Sequence, residues 1–227
     1  AITPEKNILL GEEVNKLIAQ WGKLIPARSL VFSLCSNTIG SLCGYLCLLG
    51  NKSVPVMLDA AMDSDMLRQL IEIYQPNYFW VPAEMEYKLG GDVRCVTEYA
   101  DYKLFQNGSA SPVKMHSDLA LLLTTSGSTG SPKFVRLTYK NIESNALSIA
   151  KYLEIGKDDR PITSLPMHYS YGLSVINSHL MLKASLLLTQ KSIMEKEFWA
   201  FFKEQGATSI AGVPYSYQML KRLRLQK

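Results

Sequence analysis

From residue 29 onward, short apolar runs of strand length alternate with segments of helical periodicity, and that alternation confines the chain to one broad architecture. Residues 29–34, 54–58, 78–81, 92–96 and 118–125 read as strands, and so do 162–165, 185–189 and 208–212. Between them lie helical segments. Val14, Leu17, Ile18 and Trp21 define an amphipathic helix over 12–21. An apolar helix over 38–49 is stopped by Gly50, and a helix capped by Asp63 or Ser64 runs to 73. Further helices are expected over 139–153, 172–182, 193–205 and 214–225. Strands joined through helices pair in parallel, so the expected fold class is α/β, with mostly parallel sheets flanked by helices.

With 227 residues, the chain is long enough for one domain or a closely fused pair, with a substantial core. Its net charge of +4 is mild, and no Lys/Arg run is long enough for a nucleic-acid patch. Lys221-Arg-Leu-Arg224 reads as a solvated helix end. The four cysteines form no CxxC and have no His at metal-ligand spacing. Cys43 and Cys47 sit one helical turn apart in an apolar run, where they pack as small hydrophobes; a reduced, cytoplasmic protein fits. Glu5, Lys6 and Glu12 break any signal-peptide core, and the longest apolar stretch, 42–49, is too short to span a bilayer. The first residue is Ala, and the last, Lys227, falls inside a predicted helix, so an N-terminal fragment is expected.

The richest chemistry lies in Leu123-Thr-Thr-Ser-Gly-Ser-Thr-Gly-Ser-Pro-Lys133. Hydroxyls and successive N–H groups donate to oxyanions, glycines allow a ligand close to the backbone, and a lysine adds a mobile charge suited to phosphate. A Walker loop needs two glycines five apart, then Lys-Ser/Thr and a helix. Here Gly127 and Gly130 are three apart, Pro132 precedes Lys133, and 134–138 alternates as a strand does. The segment therefore joins two strands, either as a polyphosphate loop or as an ordinary Ser/Gly turn.

The ordered string Thr125-Ser-Gly-Ser-Thr-Gly-Ser-Pro-Lys133, followed by Leu137-Thr-Tyr-Lys-Asn141, resembles the phosphate-loop signature of the adenylate-forming superfamily. Its members include acyl-CoA synthetases, fatty acyl-AMP ligases and peptide-synthetase adenylation domains; Tyr139 stands where the family pattern has His. The resemblance implies the αβαβα-type N-terminal part of a large adenylation domain, with its C-terminal remainder absent. One sheet would span 26–155, and residues 1–25 with 158–227 would begin a second. It implies activation of a small carboxylic acid, fatty or otherwise acyl, by ATP and Mg²⁺ to acyl-AMP and pyrophosphate. Transfer to coenzyme A or to the phosphopantetheine arm of an acyl carrier protein would follow. Thr125, Ser126, Ser128 and Thr129 would donate to the departing phosphates, Gly127 and Gly130 would admit them, and Lys133 would offset their charge, with no protein metal ligand.

In Leu165-Pro-Met-His-Tyr-Ser-Tyr-Gly-Leu173 the resemblance places Tyr169 and Gly172 in the acyl pocket. His168 falls one residue before the family's His position. Amino-acid activators usually carry an Asp where Gly172 stands, so a substrate without an α-ammonium group is implied. Gly212-Val-Pro-Tyr-Ser-Tyr-Gln-Met-Leu220 resembles the junction whose helix flanks the acyl tunnel; Tyr215 and Tyr217 point to different faces, so at most one lines a pocket. The family's ribose-binding Asp, Mg-holding Glu and catalytic Lys lie further downstream, so the isolated chain is expected to be inactive. An amino-acid adenylation domain and a non-catalytic nucleotide-binding module stay open as alternatives.

Overall fold

The computed structural model describes residues 1–110, 114–124 and 133–222, which fall into two units: Leu9–Asn141, and Ala1–Ile8 with residues from Ile142 onward. The larger unit opens with α1 (Gly11–Leu24), β1 (Leu30–Cys35), α2 (Ile39–Gly50), β2 (Val54–Asp59), α3 (Ser64–Tyr74) and β3 (Tyr78–Pro82). A short 3-10 helix, Ala83–Lys88, leads to β4 (Val93–Tyr99), β5 (Tyr102–Asn107), β6 (Leu119–Thr124) and β7 (Phe134–Thr138).

These seven strands form one sheet in the order β4-β5-β3-β1-β2-β6-β7. Its centre, β3-β1-β2-β6, is parallel, as helical crossovers require. Both edges are antiparallel: β5 pairs with β3 and β4, and β7 pairs with β6. The parallel α/β expectation therefore holds for the centre, and hairpins extend it. β1 and β3 are buried along their whole length, which is why they read as apolar runs, interrupted only by the buried Ser33, rather than alternating ones.

α2 is buried on nearly every face. Thr38 caps it by accepting from Ser41 N at 3.3 Å. Gly44 is required within it: a Cβ there would lie 2.0 Å from Trp80 Nε1. The bare backbone lets the Trp80 indole lie on the helix and donate to Gly40 O at 3.0 Å. Trp21 of α1 meets Trp80 edge-on, with ring centroids 4.8 Å apart. These contacts place α1 in the larger unit, whereas the family resemblance implied a grouping of residues 1–25 with 158–227; of these first residues, Ala1–Ile8 fall in the smaller unit. Cys43 and Cys47 are both buried, with sulfurs 3.8 Å apart.

The smaller unit contains most of α4 (Tyr139–Tyr152), then β8 (Pro161–Ile162), α5 (Ser170–Met181), α6 (Lys196–Glu204), β9 (Ser209–Ile210) and α7 (Pro214–Arg222). β8 and β9 pair in parallel. The expected strand over 185–189 is reduced to single bridges at Leu187, one to Ile162 and one to Ile2. Phe198 and Phe201 of α6 pack with Ile162 and Leu187 to form this unit's core. Among the described residues, no helix is long and apolar enough to cross a membrane.

Candidate functional site

Thr124, the last residue of β6, pairs with Phe134, the first of β7. The hydroxyl- and glycine-rich segment thus connects two antiparallel neighbours, as its flanking patterns imply. Thr125, Ser126, Gly127, Ser128, Thr129 and Gly130, six of the expected phosphate-binding residues, lie outside the described residues. Lys133 is described: it is exposed and stands immediately before β7.

The Thr138 and Asn141 of the Leu-Thr-Tyr-Lys-Asn stretch have a local structural task. Thr138 Oγ1 accepts from Asn141 N at 3.1 Å, while Asn141 Oδ1 accepts from Thr138 N at 3.0 Å and from Thr138 Oγ1 at 2.9 Å. This reciprocal arrangement is a capping box at the start of α4. It fixes the sharp change from strand β7 to helix and so anchors the end of β7 away from Lys133. Tyr139, at the family's His position, is half-buried and points its hydroxyl at Leu49 O, 3.5 Å away. Burial pushes its phenol above the usual range, partly countered by the Arg28 charge.

In the smaller unit, β8 leads through residues 163–169 into α5. Thr163 Oγ1 accepts from Thr189 N at 3.0 Å and donates to Thr189 O at 3.3 Å, and Ser164 Oγ donates to Ala211 O. These bonds fix the exits of β8 and β9. Tyr169, at the N-cap of α5, is 46 % exposed. Gly172 is buried, and a Cβ there would lie 2.2 Å from Pro166 O. A cavity of about 10 Å³ beside it is lined by Thr163, Ser164, Val175 and Ala211. That volume holds about one water, so it admits no acyl chain as it stands. Tyr217 lines a second small cavity with Gly212 and Ser216, and Tyr215 does not. His168 is half-buried one residue before Tyr169. Lys133 thus belongs to the larger unit, and Tyr169 and Gly172 to the smaller.

Two side chains with long-range roles carried no sequence signal. Lys88 Nζ donates to Ala60 O and Met62 O, both at 2.9 Å, tying down the turn after β2. Arg28 donates to Leu119 O at 2.8 Å and His116 O at 2.6 Å, holding the start of β6. Their partners lie tens of residues away along the chain, so no local pattern marks them.

An open sheet with a parallel centre, helical crossovers and antiparallel edges defines an open α/β fold. The chain belongs to the AMP-binding enzyme family, whose model matches residues 91–227. It is 33 % identical over 143 residues to the 2-succinylbenzoate–CoA ligase of Bacillus licheniformis, covering 61 % of this chain and 28 % of that protein. It is 26 % identical over 103 residues to a feruloyl-CoA synthase from an Amycolatopsis species, covering 45 % and 21 %. The fold matches the O-succinylbenzoate coenzyme A synthetase of Bacillus subtilis, solved with ATP and magnesium ion. There the TM-score is 0.73 at 18 % identity, over 96 % of this chain and 60 % of that one. The aligned part thus spans between a fifth and a third of the two curated relatives' length.

Proposed function

We propose that this chain forms the N-terminal part of an enzyme that activates a carboxylic acid with ATP, giving acyl-AMP and pyrophosphate, and then passes the acyl group to a thiol. The observation that carries this reading is the segment from Thr124 to Lys133, placed between β6 and β7 in a chain of the AMP-binding enzyme family. Both named ligase relatives act with coenzyme A, which supports coenzyme A as acceptor; a carrier-protein phosphopantetheine is the alternative thiol.

The donor set fits a polyphosphate. Between Thr124 and Lys133 there are hydroxyls, two glycines and one ammonium, and no carboxylate to repel an anion. Phosphate oxygens would be the main ligands of Mg²⁺, in keeping with its octahedral, oxygen-rich preference.

A carboxylate is a poor electrophile because its leaving group would be oxide; ATP supplies AMP as a good one. The chain's contribution is positioning and charge stabilisation. Thr125, Ser126, Ser128 and Thr129 donate to the phosphates that leave, Gly127 and Gly130 allow close approach, and Lys133 offsets charge that builds on pyrophosphate. Tyr169 and Gly172 belong to the acyl pocket. Gly172 supports an acid without an α-ammonium group, because glycine offers no carboxylate to pair with that charge where amino-acid activators usually carry an Asp. We assign the protein to the cytoplasm.

Trapping with hydroxylamine tests the reaction type on the whole natural polypeptide. An acyl-adenylate gives a hydroxamate and AMP, dependent on both acid and ATP. Hydroxamate accompanied by ADP would instead mean an acyl phosphate and would overturn the assignment.

A further inference from the structure

Four aromatic rings run in contact across one face of the larger unit's sheet and end at the residue after Lys133. Phe79 of β3 meets Phe32 of β1 with ring centroids 6.3 Å apart, Phe32 meets Tyr74 of α3 at 6.4 Å, and Tyr74 meets Phe134 of β7 at 5.0 Å. The last pair stands edge-on, at 70°, a geometry that aromatic rings favour. Phe32 and Phe79 are buried, whereas Tyr74 and Phe134 are half-buried where the series reaches the surface.

β7 needs such an anchor. It is an edge strand, paired with β6 alone among the described residues. Val135 and Arg136 are exposed and contribute little burial. Alternation puts Arg136 on the same face as Phe134. On that face, Phe134 is therefore the apolar side chain that β7 sets against the core cluster containing Phe32, Leu67 and Leu70. The Thr138–Asn141 capping box holds one end of the strand, and the Tyr74 ring holds the end beside Lys133. Tyr74 is itself fixed. It is the last residue of α3, which closes with Gln75 N donating to Ile71 O at 2.8 Å.

We propose that Tyr74 is a positioning residue: through the Phe134 ring it fixes the backbone that presents Lys133. The inference rests on the reading of Lys133 as the group that offsets charge on the departing pyrophosphate. Adjacent Cα atoms are about 3.8 Å apart, so freedom at Phe134 passes to Lys133 almost undiminished. A lysine carries a point charge on a flexible stem, and charge stabilisation depends on donors already in place. Order must therefore come from the backbone beneath the side chain. A ring that served packing alone would have no special link to Lys133.

Tyr74→Leu removes the ring and keeps an apolar helix former, whereas Tyr74→Phe keeps the ring. In the whole natural polypeptide, hydrogen–deuterium exchange of the amides at 133–135 should be about tenfold faster in Tyr74→Leu and as slow as wild type in Tyr74→Phe. ATP–pyrophosphate exchange should fall about tenfold in Tyr74→Leu, the scale of a sub-ångström displacement, and recover in Tyr74→Phe. In a Lys133→Ala background, Tyr74→Leu should change the rate less than about twofold, because the group that Tyr74 positions is gone. A loss of about tenfold in both backgrounds would mean that Tyr74 acts on the fold at large, and it overturns the proposal, as do unchanged amides. If the wild type exchanges no pyrophosphate with any acid, the adenylation reading fails, and the amide measurement alone decides whether Tyr74 holds Lys133. If Tyr74→Leu does not fold, Phe134→Leu breaks the same contact from the other side and is read in the same way.

Discussion

A Cβ built on Gly172 would lie 2.2 Å from the carbonyl oxygen of Pro166, so the first turn of α5 rests directly on the turn that leads into it. The neighbouring contacts are also backbone: Pro166 C at 2.9 Å and Leu165 O at 3.0 Å. Backbone cannot rotate aside as a side-chain tip can.

Gly172→Ala should therefore destabilise. In an ordinary helix the exchange gains about 0.5–1 kcal/mol, because glycine loses more conformational freedom on folding. Overpacking against fixed atoms costs about 1–3 kcal/mol, and here that term wins. Urea unfolding should show a lower midpoint than wild type. A higher midpoint would mean that the turn at Pro166 yields freely.

Thr138→Ala should cost about 1 kcal/mol, the usual loss of a helix N-cap hydroxyl. Thr138→Ser keeps the oxygen that accepts from Asn141 N and should restore most of it. The same unfolding assay measures both variants. Equal stability of all three proteins would show that β7 passes into α4 without help from the capping box.

Asp159 gives a pH dependence. Its carboxylate accepts from Gly156 N at 2.8 Å and from Thr208 Oγ1 at 3.0 Å, and these bonds, the Gly156 one first, hold its pKa below the ordinary carboxylate value. A depressed folded-state pKa stabilises the fold above the unfolded value, about 3.9, and that stabilisation is lost as pH falls through the folded one. Asp159→Asn lacks the charge at every pH. Its deficit relative to wild type should be present near neutrality and shrink towards about pH 3. A deficit that stays constant with pH would mean the ionised carboxylate is no better an acceptor than the amide.

The parallel centre of the larger sheet was legible because β1, β2 and β3 are buried on both faces and leave continuous apolar runs. β5 was not. Its Tyr-Lys-Leu-Phe-Gln-Asn sequence is half-polar, and the turn joining it to β4 passes through Ala100 at a φ of 52°, where no Gly or Asn announces a reversal. The place of α1 was missed for another reason. An amphipathic stripe shows that a helix is covered but not by what, and the Trp21–Trp80 contact that decides it joins distant residues. For the candidate site, the strands that flank the Ser/Gly-rich segment could be read directly, since their patterns are local. The steric demand at Gly172 could not, because it depends on where a backbone carbonyl falls.

Carboxylate-dependent ATP–pyrophosphate exchange by the whole natural polypeptide, wild type against Lys133→Ala, tests acid adenylation and the role of Lys133 together. Exchange with an acyl or aryl acid is expected, slowed roughly 10²-fold by Lys133→Ala, in line with removal of one charge-stabilising donor. The melting temperature should be unchanged, because Lys133 is exposed. No exchange with fatty, aromatic or amino acids from a folded wild-type protein, or full exchange by Lys133→Ala, would contradict that expectation.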